Sequence, residues 1–216
     1  MKIKTAWNLK LLYKSDDDPQ IEKDLVKIER ACLDFERKYR NQPFTASPEA
    51  LAKVLREIEE LDRTVDGQKP WWYFTLKTHL NSEDTRSVAK ATKYAQRITQ
   101  ASNRIKFFGL AVAKIPTEDQ KKFLSHPALK PYIYDLTKIF NNAKFLLSEG
   151  EEQLNDLLSQ TSYTMWVDTQ ERLLNQQTIK HKGVNIPIVK ALGQLADLLK
   201  KEREEVYLKI SLALKS

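Results

Sequence analysis

The chain has 216 residues, of which 41% are hydrophobic and 30% are charged, a composition typical of a globular protein. Its 36 Lys and Arg residues against 29 Asp and Glu residues give a net charge of +7, which allows weak binding to polyanions. Basic and acidic residues alternate, however, as in residues 200–205. This pattern is typical of a solvated helix face and disfavours a nucleic-acid-binding groove.

Cysteine content and hydropathy indicate the compartment. The single cysteine, Cys32, excludes an internal disulfide and favours a reducing environment. It stands in helical register with Leu25, Ile28 and Phe35, which predicts a core thiol rather than a nucleophile. No apolar run approaches the ~20 residues of a membrane span, and the N-terminus lacks the apolar centre of a signal peptide. We therefore expect a cytoplasmic protein with no membrane association.

Two dipeptides predict where the first long helices begin. Asp18 followed by Pro19 supplies an N-cap and a proline for the first turn, which predicts a helix that ends near Arg40. Ser47, also followed by proline, begins the next helix in the same way, and Gly67 is expected to end it.

Residues 70–74 form the densest aromatic cluster of the chain, at the head of a short predicted helix. Large aromatic side chains at such a position favour burial in a core. We therefore interpret the cluster as core packing, and stacking of Trp71 and Trp72 on bases or on a ligand is the alternative.

A candidate helix of unusual length runs from Ser82, the expected N-cap, to Ile115, and no proline interrupts it before Pro116. Its apolar and small residues alternate three and four positions apart, a spacing that lays one seam along a helix. The seam consists of Val88, Ala91, Ala95, Ile98, Ser102, Ile105, Gly109 and Val112. This helix is predicted to be the central scaffold of the fold, with an intermolecular coiled coil as the alternative.

Capping signals and a turn signal organise the second half of the chain. Sequences of capping-box form predict helix starts at Thr117 and Ser148, and the helical pattern breaks over residues 159–163. Residues 178–187 resemble two short strands around a glycine turn, which predicts the one β-hairpin of the chain. Two more helical segments follow, near residues 188–199 and 202–214.

Together these elements predict an all-α fold. We expect an elongated bundle of about eight to ten helices around the long central helix, with one short β-hairpin near residues 178–187. No Gly/Ser-rich linker and no internal repeat divides the chain, which predicts a single helical domain over residues 1–216.

Several short motifs occur in a distinctive order along the chain. They are Trp7-Asn8-Leu9 with Leu12-Tyr13 and Asp17-Asp18-Pro19, Ser47-Pro48-Glu49-Ala50-Leu51, Phe123-Leu124 with Pro127-Ala128-Leu129, Tyr132 and Leu136, Leu147-Ser148-Glu149-Gly150-Glu151-Glu152 with Thr161 and Trp166, and Ile186-Pro187 with Arg203. In this order they resemble the N-terminal region of the oligoendopeptidase F family, zinc metallopeptidases related to thimet oligopeptidase. The resemblance covers nearly the whole chain.

The resemblance implies a lid or scaffold that restricts an enclosed cleft to short peptides, with the catalytic domain of the same protein as partner. Catalysis in the family uses H-E-x-x-H and a further Glu to hold zinc and activate water. This sequence contains only His79, His126 and His181, none of them in that motif. We therefore expect no catalytic residue, no metal ligand and no cofactor in this chain, zinc belonging to the full-length family. Binding residues stay unassigned.

Three hypotheses follow from the sequence. The first is an N-terminal lid domain of an oligoendopeptidase F-like zinc metallopeptidase, inactive alone. The second is a stand-alone, non-catalytic helical module that binds a peptide or protein through an exposed apolar surface and can self-associate. The third is a polyanion-binding protein, based on the +7 charge and the Trp71-Trp72 pair.

Overall fold

A computed structural model describes residues 8–65, 68–81 and 84–215. The chain divides into two compact units, unit 1 up to Leu158 and unit 2 from Ser159 onward. The predicted single domain over residues 1–216 stays a prediction. Within the described residues, no helix is both long enough and apolar enough to cross a membrane.

Unit 1 is helical throughout its described length. Its α-helices are α1 (Pro19–Tyr39), α2 (Pro48–Val65), α3 (Lys69–Leu80), α4 (Thr85–Asn103), α5 (Lys106–Ala113), α6 (Thr117–Ser125), α7 (Ile133–Asn142) and α8 (Glu149–Ser159). Short 3-10 helices cover Leu9–Leu11, Pro127–Tyr132 and Ala143–Phe145. Helix α4 packs against both α1 and α3, and α5 packs against α7.

Unit 2 contains the strands of the described chain. A π-helical turn (Gln160–Thr164) leads into α9 (Met165–Gln176), followed by β1 (Thr178–His181), β2 (Val184–Pro187), α10 (Ile188–Gln194), a 3-10 turn (Leu195–Asp197) and α11 (Lys200–Ala213). The strands form an antiparallel hairpin around Lys182 and Gly183, whose φ values are 48° and 81°. The all-α class with one short hairpin is thus confirmed for the described residues.

The predicted starts of the first two long helices are confirmed. Asp18 Oδ1 accepts a hydrogen bond from the backbone N–H of Gln20 at 2.9 Å, and Ser47 Oγ accepts one from Ala50 at 3.2 Å. Each cap satisfies a backbone donor that has no partner inside its helix. The predicted helix end at Gly67 and the motif at Trp7 lie outside the described residues.

The two predicted capping boxes have different outcomes. At Ser148 the box is formed, because Glu151 N–H donates to Ser148 Oγ at 3.4 Å and Ser148 N–H donates to a Glu151 carboxylate oxygen at 2.9 Å. At Thr117 the helix begins as predicted, but the capping box is not formed, because Thr117 is already inside the helix. Pro116 occupies the N-cap position without a side-chain hydrogen bond.

The prediction of one uninterrupted helix from Ser82 to Ile115 is wrong. Ser82 lies outside the described residues, and Asp84 is the observed N-cap of α4. The helix ends at Asn103, and α5 begins only at Lys106. The Asn103 carbonyl accepts a hydrogen bond from Gln153 Nε2 at 3.1 Å, so a side chain of α8 satisfies a carbonyl left free at the end of α4.

The predicted seam along this stretch is displaced over α4. The buried residues of α4 are Ser87, Tyr94, Ala101 and Asn103. The first three each lie one position before a seam residue, whereas the seam residue Ser102 is exposed. Tyr94 is the largest of these side chains, and its ring lies 5.3 Å from that of Phe74, centroid to centroid. Packing of this bulky side chain therefore sets which face of α4 is buried.

Unit 1 holds its core in several buried clusters. One contains Phe35, Tyr39, Phe44, Leu51, Ala52, Val54, Phe107, Phe108, Val112, Ile115, Phe123, Leu129, Tyr132, Leu136 and Phe140. A second contains Tyr13, Ile21, Leu25, Tyr73, Phe74 and Tyr94. Because Phe107 and Phe108 of α5 both enter the first cluster, the break after α4 lets this segment turn its aromatic side chains into the core.

Unit 2 has a smaller core. Its buried cluster consists of Ile179, Ile188, Ala191, Val206 and Ile210. These residues come from β1, α10 and α11, and the α11 helix packs on both of the other elements. Of the hydrophobic residues of α9, none is fully buried where the side chain is described.

Candidate functional site

The three histidines occupy separate structural roles. His126 accepts a hydrogen bond from the Ala128 N–H on Nδ1 at 3.2 Å, and its Nε2 lies 2.8 Å from Glu49. His181 Nε2 lies 3.4 Å from a carboxylate oxygen of Glu202, and His79 is exposed in the last turn of α3. Among the described residues, no group of three or more His, Cys, Asp or Glu side chains could hold a metal ion.

Cys32 lies in the core, as predicted. It is buried in a cluster with Ile28 and Ala101 between α1 and α4. Burial raises the pKa of the thiol to about 11, and the nearby Asp62 carboxylate acts in the same direction. The sulfur therefore stays protonated at neutral pH and is a poor nucleophile.

The aromatic cluster at residues 70–74 is only partly a core element. Tyr73 and Phe74 are buried, which confirms core packing for these two residues. Trp72 is 42% exposed, and its ring lies beside that of Trp71 with 4.7 Å between centroids. The indole N–H of Trp72 donates to Gln68 Oε1 at 3.1 Å, which keeps that side chain on its own helix.

A polar pocket of about 550 Å³ lies where α1, α4 and α8 meet. Arg40 makes a two-pronged contact with Glu149, at 2.9 and 3.2 Å, and its Nε donates to Glu36 at 3.0 Å. Arg104 donates to the other oxygen of Glu36 at 2.9 Å. Two guanidinium groups thus face two carboxylates.

The charged side chains that line this pocket pair with one another. Burial favours the protonated form of the Glu36 carboxyl, but hydrogen bonds from Arg104 and Arg40 outweigh it and lower the pKa. The hydrogen bond to Glu149 raises the pKa of Arg40. Because each charge already faces an opposite charge, the cluster connects α1, α4 and α8 and offers no free charge to a substrate.

Exposed apolar side chains are the unusual surface feature of unit 1. One of them, Tyr134, lies in the first turn of α7, and others lie between α7 and α8 or along α8: Phe145, Leu146, Leu147, Leu154, Leu157 and Leu158. Phe145 is 70% exposed and stands beside two further exposed apolar residues in the chain. Large contiguous apolar patches on a soluble surface mark interaction sites.

Unit 2 shows the same feature on α9 and the turn before it. Tyr163, Met165, Trp166, Val167 and Leu173 are exposed, and Trp166 reaches 69%. Tyr163, Trp166 and Leu173 are spaced three and seven apart, which places them on one side of the helical path. Sequence reasoning placed Trp166 and Leu173 on a helix and Tyr163 in the break before it. It did not identify an exposed face, because apolar periodicity predicts burial without saying what covers the face.

Comparisons with known proteins give one match. Residues 112–177 match the family model of the N-terminal region of oligopeptidase F, a segment of less than a third of the chain. For this segment, the resemblance to the N-terminal region of oligoendopeptidase F-like peptidases is confirmed. Searches of curated proteins and of solved structures found no match.

The matched segment coincides with much of the exposed apolar surface. It begins in α5 and ends at the last residue before β1, so it includes α8 and α9. The exposed residues named above, from Tyr134 to Leu173, all fall inside it. The candidate functional surfaces of the described chain are therefore these two sets of exposed apolar residues, one in unit 1 and one in unit 2.

Proposed function

We propose that this chain supplies the N-terminal helical lid and scaffold of an oligopeptidase F-like zinc metallopeptidase that hydrolyses short peptides. The observation that carries the proposal is the family match over residues 112–177. In this division of labour the chain shapes and encloses the substrate cleft, and a catalytic region carries out the reaction. The protein would act in the cytoplasm.

Zinc does not fit the described residues of this chain. His126 is engaged with Glu49 and with the backbone of Ala128, and the described residues offer no cluster of metal-binding side chains. We therefore assign zinc to the catalytic region of the parent protein and derive no chemical step from this chain. What this chain contributes is exclusion of folded substrates.

The exposed apolar surface supports a docking role. A catalytic region that covered α8 would remove Leu154, Leu157 and Leu158 from water, and burial of apolar area stabilises by about 25 cal/mol per Å². In unit 2, a surface centred on Trp166 offers the kind of large aromatic anchor that dominates interface energies.

Peptidase activity tests the division of labour. The purified chain is mixed with zinc and a short internally quenched fluorescent peptide, and we expect no cleavage above background. The HExxH-bearing region encoded in the same gene or beside it, added to the same reaction, should cleave the peptide. Zinc-dependent cleavage by this chain alone would overturn the assignment.

Docking can be tested in the same system by co-purification. Trp166→Asp should prevent capture of the HExxH-bearing region, because it places a charge in the expected interface. Leu11→Asp is the matched control, since Leu11 is 82% exposed and lies outside the matched segment. If the genomic neighbourhood of this chain encodes no HExxH region, the lid assignment fails.

The alternative is a stand-alone helical module that binds a peptide or protein partner. The same exposed apolar residues favour it, because an uncovered apolar surface drives association. Sedimentation of the purified chain tests the surface on which both proposals depend. Self-association that Trp166→Asp abolishes would support an uncovered docking surface, whereas a strict monomer would weaken both the module and the lid.

A further inference from the structure

The hairpin of unit 2 has one strand edge with free hydrogen-bonding groups. Its register pairs His181 with Val184 and Ile179 with Ile186 across a two-residue turn. In such a hairpin the residues that flank the turn exchange both hydrogen bonds, and every second pair does the same. The backbone N–H and C=O groups of Thr178 and Lys180 therefore point away from β2.

A further hydrogen bond confirms this alternation. The N–H of Ile188 donates to the carbonyl of Gln177 at 3.0 Å, which continues the bonded pairs two residues beyond Ile179 and Ile186. On the opposite edge, Asn185 and Pro187 hold the outward positions. Proline has no N–H, so the edge of β2 lacks one donor, whereas the edge of β1 keeps both of its donors.

A groove of about 520 Å³ runs between β1 and α11 in unit 2. The outward residues of β1 form one wall, and Leu212 and Ala213 of α11 form the other. Leu212 is 59% exposed, so this wall offers uncovered apolar surface. At the turn, Gly183 adds no side chain, and a Cβ there would meet no atom within 4 Å.

Three lysines surround this groove. Lys182 pairs with Glu202 at 2.7 Å, and Lys209 pairs with Glu205 at 2.6 Å. Lys180 is exposed, and no carboxylate of the described part of the chain pairs with it. The charge beside the edge of β1 is therefore positive, which favours an acidic ligand.

We propose that this groove is a strand-addition site for an extended acidic peptide segment. The segment adds a third strand to β1 through the free N–H and C=O groups of Thr178 and Lys180, and its side chains alternate between the two faces. Acidic side chains on one face reach Lys180, and apolar side chains on the other lie against Leu212. The proposal concerns unit 2 alone and does not depend on the lid function.

The test uses a fluorescein-labelled, end-capped hexapeptide of alternating Glu and Val, with binding measured by fluorescence polarisation. A peptide of alternating Lys and Val is the matched control and should not bind. Raising the salt concentration should weaken binding of the acidic peptide, because screening reduces its attraction to Lys180. Equal binding of the two peptides would refute the acidic preference.

N-methylation of the peptide tests strand addition without changing the protein. Two peptides are compared, methylated at the amides of the odd-numbered or of the even-numbered residues. Only one of these two sets of amides points toward β1, so only one of the two peptides loses its hydrogen bonds to β1. We expect one methylated peptide to lose binding about tenfold or more and the other to lose little. If both bind like the parent peptide, no strand is added.

Protein variants locate the site on β1. Thr178→Pro removes an outward N–H, and Gln177 already has the extended backbone (φ −73°, ψ 135°) that a following proline requires. We expect about a tenfold loss of affinity, whereas Asn185→Pro on the opposite edge should change affinity less than about twofold. Lys180→Glu should weaken binding at least about fivefold, with Lys200→Glu as control.

Two further results would overturn the proposal. One is absence of binding, which would identify Lys180 as a residue that protects an edge strand from pairing. The other is binding of a single-stranded oligouridylate that depends on Lys180 but survives Thr178→Pro, which would identify an electrostatic polyanion site instead. Hydrogen exchange of the α11 amides in each variant establishes that unit 2 is folded.

Discussion

The two units differ in how completely each covers its own apolar residues. Unit 1 buries large aromatic clusters, with Phe74 and Leu51 completely inaccessible to solvent. Among its described side chains, unit 2 buries five and leaves Trp166 and Leu173 of α9 exposed. Unit 1 therefore has the core of an independently stable body. Unit 2 has a core small enough that a partner would add substantially to its stability.

The two units also differ in their ion pairs. In unit 1, Arg97 of α4 contacts Glu29 at 2.7 Å and Glu22 at 2.8 Å, so it bridges two turns of α1. Hydrogen bonds to both carboxylates raise the pKa of Arg97. Such partly exposed ion pairs contribute little individually to the free energy of unfolding. The two contacts of Arg97 nevertheless fix the register of α4 against α1. In unit 2, Lys182 of the hairpin turn pairs with Glu202 of α11, whereas Lys209 and Glu205 pair within α11.

The largest effect is expected from Phe74→Ala in unit 1. The side chain is fully buried and contacts Tyr73 and Tyr94, so truncation leaves a cavity and should destabilise unit 1 by about 3–5 kcal/mol. Urea unfolding with hydrogen exchange of α3 and α4 amides measures the loss. Leu11→Ala, at an exposed position, is the control and should change stability by less than about 0.5 kcal/mol. Equal effects would mean that the aromatic cluster does not stabilise unit 1.

Ile188→Ala makes the corresponding change in unit 2. Ile188 lies in the small core, so its truncation should lower the free energy of opening of β1 and α11 by about 2–4 kcal/mol. Hydrogen exchange followed by mass spectrometry should show faster exchange in unit 2 and unchanged protection in α1 and α2. Val189→Ala, at the exposed neighbouring position, is the matched control. Equal acceleration in α1 and α2 would show that the units unfold together.

A smaller effect distinguishes the two capping sequences. Ser148→Ala should destabilise α8 by about 1 kcal/mol, because Ser148 Oγ accepts the N–H of Glu151. Thr117→Ala should cost less than about 0.5 kcal/mol, because Thr117 follows the N-cap Pro116 and caps nothing. Exchange rates of the α6 and α8 amides give both values. A larger loss at Thr117 would contradict the observed start of α6.

The elements that sequence reasoning predicted correctly depend on local chemistry. The cap at Asp18 and the turn at Lys182-Gly183 are formed by residues a few positions apart, so their signals are complete in the sequence. The prediction of one long helix was wrong because the end of α4 depends on a distant residue. Gln153 bonds the carbonyl of Asn103 from fifty positions away, and periodicity carries no trace of such a contact.

The candidate surfaces could be predicted only in part. The family resemblance identified the region around α8, but it did not show that Leu154 and Trp166 are exposed. The edge of β1 was not foreseen, because its free donors follow from the hairpin register and from its position beside α11. The charge alternation around Lys200 was correctly interpreted as a solvated face, although the same pattern provides Glu202 and Glu205 for the lysines of the groove.

The smallest expected effect is the acid sensitivity that Asp16 gives to unit 1. Burial favours its protonated form, but hydrogen bonds from Lys77 and Tyr73 outweigh it and lower the pKa below its usual 3.8. The stabilisation is therefore fully present above pH 3.8 and is lost as the pH falls through the lower folded-state value. Asp16→Asn should cost less than about 1 kcal/mol at neutral pH, since solvent screens the partly exposed pair.

This difference between Asp16→Asn and the unsubstituted protein should vanish in acid, because both then lack the charge at residue 16. Urea midpoints at neutral and strongly acidic pH measure it, with Glu204→Gln on the exposed face of α11 as control. Because Asp16, Tyr73 and Lys77 all belong to unit 1, the pH-dependent change should affect the amides of α3 and leave those of α11 unchanged. An equal change in α11 would show that the two units share one cooperative transition.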